Sequence, residues 1–94
     1  MRTPPGPARL RDKVVAGPGG AMTDEVGVIT GDLTITTTAR PDGLADIAAE
    51  YTGAEETYTL TGSPVPVPPA GLRALHDQAL AAVRAGRAAQ APRT

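Results

Sequence analysis

Between Leu33 and Thr61 the chain alternates apolar with polar residues in short runs separated by turn-forming residues. Successive side chains of an extended chain point to opposite faces, so Leu33, Ile35 and Thr37 share one face of a strand over about 33–40 and Thr34, Thr36 and Thr38 the other. Pro41-Asp42-Gly43 then reverses the chain: proline presets φ, aspartate bonds its own backbone and glycine accepts positive φ. Residues 44–52 fit two templates. As a strand, Ala45, Ile47, Ala49 and Tyr51 share a face; as a helix, Leu44, Ile47, Ala48 and Tyr51 do. The flanking turns and short length favour the strand, and a helix would give a β-α-β-α order instead. A third strand over about 56–62 places Tyr58 and Leu60 inward and Thr57, Thr59 and Thr61 outward. Upstream, Val26, Val28 and Ile29 mark a strand over about 25–30. Gly31-Asp32 is a hairpin dipeptide that would pair it with 33–40, and a bulge at Gly31 within one longer strand is the alternative.

Pro64, Pro66, Pro68 and Pro69 remove backbone donors and end the strand pattern. A helix follows from about Ala70 to Ala85, with Leu72, Leu75, Ala79, Ala82 and Val83 in one stripe and Gly86 placed to end it. The elements predict an α+β domain over residues 22–86: a three- or four-stranded antiparallel meander covered by one C-terminal helix. Its expected core is Leu33, Ile35, Ile47, Tyr51, Tyr58, Leu60, Leu72, Leu75, Ala79 and Val83. Residues 1–21, rich in Pro, Gly and Arg, read as a disordered tail. Met22-Thr-Asp-Glu25 resembles a natural start of translation, which would make that tail a mis-assigned leader. Residues 87–94 read as a second disordered tail.

Composition narrows the function. The 94 residues include no cysteine, phenylalanine or tryptophan and two tyrosines, so a disulfide framework is excluded and the core must be thin. A partner or a second copy would relieve that shortage. No apolar run approaches the roughly 20 residues of a membrane helix, and Val14-Val15-Ala16 is too short for a signal peptide, so a cytoplasmic location is expected and no membrane association. The net charge of −1 is unevenly distributed: both tails are basic and residues 22–86 carry nine acids against three arginines. An acidic domain without aromatic platforms disfavours nucleic acid.

Candidate chemistry is sparse. His76 is the single histidine, close to the helix stripe with only Arg73 and Asp77 nearby in sequence, and reads as a core or boundary residue rather than a base or ligand. The acid pairs Asp24-Glu25 and Glu55-Glu56 lack calcium-loop spacing, and Gly17-Pro-Gly-Gly20 lacks the lysine and the flanking elements of a phosphate loop. Ser63, the single serine, has no nucleophile-elbow context. Pro66-Val-Pro-Pro69 matches a P-x-x-P spacing but is accounted for as a strap between strand and helix. The T-x-T rows at Thr34, Thr36, Thr38, Thr57, Thr59 and Thr61 resemble in composition the ice-binding surfaces of antifreeze proteins, although the regular coil repeat of those proteins is absent.

The expectation is therefore a non-catalytic interaction or assembly protein, with no cofactor and no metal. It would act as a homo-oligomer or with a protein partner, through its six-threonine face or an unpaired edge strand. The alternative is a small-ligand-binding domain with a pocket between sheet and helix at Tyr51, Tyr58 and His76.

Overall fold

The computed structural model describes residues 9–93 and has the expected class: antiparallel sheet with one C-terminal helix. In chain order the elements are β1 (Arg9–Val15), β2 (Ala21–Thr23), β3 (Gly27–Ile29), β4 (Asp32–Ala39), β5 (Leu44–Tyr51), β6 (Tyr58–Thr59), β7 (Val65–Pro66) and α1 (Leu72–Ala85). The main sheet has five strands in the order β1-β4-β5-β6, with β7 also on β5. Residues 44–51 are a strand, paired with β4 across the Pro41-Asp42-Gly43 turn so that Thr37 faces Ile47. The Asp42 carboxylate accepts from the Leu44 amide, as an aspartate in such a turn does.

Three expectations change. Residues 1–8 of the expected tail lie outside the described residues, but from Arg9 onward that segment is structured. Leu10, Asp12 and Val14 face the core side of the sheet, and Val14 is buried opposite Leu33. The strand expected at 25–30 is shorter and pairs with β2 rather than with β4, whose two edges are taken by β1 and β5. Finally, the end of the chain belongs to the fold. The amides of Arg87, Ala88 and Ala89 donate to the carbonyls of Pro18, Gly19 and Gly20, and Ala89 and Ala91 are buried. The cause is the same throughout: a thin core gains area by gathering small residues from distant segments, and backbone groups pair wherever they are buried.

The crossing of these segments requires glycine. A Cβ on Gly17 would overlap the carbonyl oxygens of Arg84 and Ala85, and one on Gly86, at φ 83°, would overlap that of Pro18. The helix packs on β1 and β4, burying Leu75, His76, Ala79 and Val83. Leu33, Ile35, Ile47 and Leu60 are fully buried beneath it and its neighbours. Tyr51 is not core: it ends β5, beyond the strands the helix covers, and is 43% exposed, while Tyr58 and Leu72 are half-buried against the core.

A chain beginning at Met22 loses β1, the core residue Ala21 and the partners of the C-terminal segment. It is expected to lack a cooperative thermal transition in circular dichroism; retention of the full-length melting temperature would contradict the role assigned to β1.

Candidate functional site

The polar chemistry under the helix is one chain of hydrogen bonds. Thr37 stands on the inner face of β4, Asp12 on the inner face of β1, and His76 on the sheet-facing side of α1. The His76 Nε2–Asp12 Oδ2 and His76 Nδ1–Thr37 Oγ1 distances are both 2.8 Å. A carboxylate only accepts, so Nε2–H donates to Asp12, and Nδ1 pairs with the Thr37 hydroxyl. Arg73 approaches Asp12 at 3.7 Å and Asp77 at 3.4 Å.

Hydroxyl, imidazole and carboxylate in this order are the parts of a hydrolytic triad, but the burial is reversed. A nucleophile must meet substrate, with the carboxylate behind it. Here Thr37 and His76 are completely buried while the Asp12 side chain is 48% exposed. Thr37 cannot be reached, so the arrangement is a clasp joining β1, β4 and α1. His76 is the core histidine expected; its partners lie 39 and 64 residues away and no local motif announces them.

The outer face of the main sheet is a striped surface. Across the register, Arg9 lies beside Thr38 and Asp46, Arg11 beside Thr36 and Ala48, and Lys13 beside Thr34 and Glu50. Basic residues therefore line β1, threonines β4 and acids β5. Arg11 reaches Glu50 across β4 at 3.2 Å, and Thr34 bonds Thr52, so Thr34 and Thr36 are nearly buried although they face away from the core. Thr38 is half-buried and Thr57 exposed. Thr59 and Thr61 are engaged by the turn after β2: the Glu25 carboxylate accepts from the Thr59 amide and hydroxyl, both at 2.7 Å, and Asp24 accepts from Thr61 at 2.9 Å. Thr34, Thr36, Thr38 and Thr59 share the outer face, Thr57 and Thr61 lie outside the strands, and the six do not form an open array.

The two edges of the sheet differ. Beyond β6, β2 closes the edge through Asp24 N to Thr59 O and Thr61 N to Met22 O, both 3.0 Å. The outer edge of β1 has no partner strand among the described residues. The Ala16 amide donates to Gly31 O, which makes that pair hydrogen-bonded. The two-residue alternation then assigns Val14, Asp12 and Leu10 to bonding with β4, and turns the N–H and C=O groups of Arg9, Arg11, Lys13 and Val15 outward.

Two open recesses border Lys13 and Thr52. One, of about 540 Å³, lies by Lys13, Val15, Asp32 and Arg84; the other, of about 520 Å³, lies by Arg11, Lys13, Thr34 and Thr52. Neither of these two recesses is lined by Tyr51, Tyr58 or His76. Tyr58 instead donates to Glu56, and its phenol is held above the ordinary tyrosine value, first by partial desolvation and then by the Glu56 carboxylate. No three potential metal ligands come together, and no helix is long and apolar enough to cross a membrane, among the described residues. No family model, curated protein or solved structure matches the chain.

The clasp predicts a graded series in urea unfolding. His76→Ala leaves a cavity and strips Thr37 of its partner, an expected loss of about 2–4 kcal/mol. Asp12→Asn keeps an acceptor for Nε2–H and should cost less than about 1 kcal/mol, with Asp12→Ala between the two. Equal stability of His76→Ala and the parent chain would show that the clasp carries no load.

The Glu25 carboxyl is held below its ordinary value, chiefly by the Thr59 hydroxyl and then by the Thr59 amide. A depressed folded value means that this contact stabilises the fold above the carboxyl's unfolded pKa and is lost as pH falls through the folded one. In an NMR titration, Glu25 should therefore titrate below the ordinary glutamate value, and Thr59→Val should move its midpoint upward.

Proposed function

We propose that this chain is a non-catalytic interaction module that works by accepting an extended strand at the outer edge of β1. The observation that carries the reading is the row of outward backbone groups at Arg9, Arg11, Lys13 and Val15, on a sheet whose other edge is closed by β2. An unpaired edge is a template for β-augmentation: the main chain supplies affinity and alternate side chains supply selectivity. Seven residues is ample length for such pairing. The non-catalytic reading is supported by the inaccessibility of Thr37 and His76, the one place where hydroxyl, imidazole and carboxylate meet among the described residues.

Self-association, the expectation from the thin core, is less well served. Pairing β1 with β1 of a second copy would place Arg11 opposite Lys13 on the same face, and like charges directly opposed destabilise a ladder. Stacking two outer faces would press on a surface whose central threonines are already covered by Arg11 and Glu50. The edge is thus better suited to a foreign strand than to a second copy.

Lys13→Pro supplies the test, because it removes an outward donor while the β1–β4 bonds at Asp12 and Val14 persist; proline is tolerated at such edge positions. A displayed library of linear peptides selected on the full chain should yield binders whose affinity falls on Lys13→Pro, while the melting temperature changes little. Selected peptides that bind Lys13→Pro and the parent equally would place the interaction elsewhere.

A further inference from the structure

We infer that the strand accepted by β1 is acidic: an extended segment of another protein with carboxylates at alternate positions, opposite Arg9, Arg11 and Lys13, and an apolar side chain opposite Val15. This inference rests on the reading of β1 as a strand-accepting edge and adds the chemistry of what it accepts.

The chain carries a net charge of −1, so a basic edge is not a reflection of its composition. On the outer face the edge presents Arg9, Arg11 and Lys13; on the inner face the helix flank nearest β1 adds Arg73, which reaches Asp12, and Arg84, which shares a recess with Lys13. Arg9, Lys13 and Arg84 have no ion-pair partner among the described residues, and Arg11, paired with Glu50, is still 53% exposed. Arg9, Arg11 and Lys13 carry both an outward-facing backbone and a basic side chain. In an antiparallel addition each residue opposite Arg9, Arg11 or Lys13 therefore makes backbone bonds and points its side chain to the same face, with Cβ atoms about 5 Å apart, within reach of an ion pair.

Val15 completes the pattern. It is 65% exposed at the end of the edge, where an apolar side chain would cover it. Both recesses border Lys13 and Thr52, one toward Val15 and Arg84 and the other over Arg11 and Thr34, so side chains of an added strand near Lys13 would have room beside it. Basic residues on an edge also guard against aggregation. A guard accounts for Arg11 and Lys13 but calls for neither the arginines on the helix flank nor the recesses.

Three synthetic peptides separate the possibilities when titrated into the isotope-labelled full chain and followed by NMR: Val-Thr-Glu-Thr-Glu-Thr-Glu, its Gln counterpart and its Lys counterpart. The Glu peptide should shift the amides of Arg9, Arg11, Lys13 and Val15 and bind at least roughly tenfold more tightly than the Gln peptide, with the advantage shrinking at high salt. The double variant Arg9→Glu with Lys13→Glu should reverse the preference toward the Lys peptide; if that variant does not fold, the series on the parent chain decides alone. Equal binding of Glu and Gln peptides at β1 overturns the acidic partner and leaves strand addition standing. No shift at β1 with any peptide overturns both readings. Outward amides already protected in a peptide-free dimer would assign the edge to a second copy and overturn the inference as well.

Discussion

An imidazole with no access to water must find both a donor and an acceptor inside the protein, and the fold is arranged around meeting that demand for His76. Its two partners sit on neighbouring strands, Thr37 on β4 and Asp12 on β1. Satisfying the ring therefore fixes the helix over the β1–β4 seam and holds β1 to the sheet by more than its ladder. An unsatisfied buried polar group costs as much as several good apolar contacts provide, so the clasp is as much a statement about which β1 alignment is allowed as about stability. Among the described residues no buried side-chain polar atom lacks a partner.

The clasp also separates the inner and outer roles of β1. Its inward residues, Leu10, Asp12 and Val14, bond to β4, and Asp12 meets the helix, while its outward amides belong to Arg9, Arg11, Lys13 and Val15, whose side chains point to the outer face. A strand tied this firmly on one side offers a preorganised edge on the other, and preorganisation lowers the ordering cost of association. The opposite side of the sheet is spent on internal closure, where Glu25 and Asp24 bind Thr59 and Thr61.

Local pattern made the central hairpin and the helix legible. The alternation in β4 and β5, the Pro41-Asp42-Gly43 turn and the stripe through Leu75, Ala79 and Val83 each act over a few residues, and each appears in the structure. β1 carried a similar signal, since Leu10, Asp12 and Val14 alternate with Arg9, Arg11 and Lys13. Its partner lies beyond the β2–β3 hairpin, and the surrounding prolines and glycines have the composition of a tail. The shared face of Thr34, Thr36 and Thr38 was legible, but the side chains that cover it were not, because Arg11 and Glu50 meet only once β1 is in place. The C-terminal segment gave least away: alanines bury little each, and its anchoring is through backbone groups, which no side-chain pattern encodes.

The crossing at Gly17 and Gly86 carries a consequence for the order in which the protein is made. The carbonyls of Pro18, Gly19 and Gly20 obtain their partners from Arg87, Ala88 and Ala89, so one segment is completed by another made much later in the chain. Vectorial synthesis cannot close this domain progressively; contacts of such long sequence separation form only once both segments are free. A nascent chain halted before Gly86 would lack the closing segment, leaving Ala21 without its bridge to Ala89. The native state is in that sense a check on the completeness of translation through Ala91.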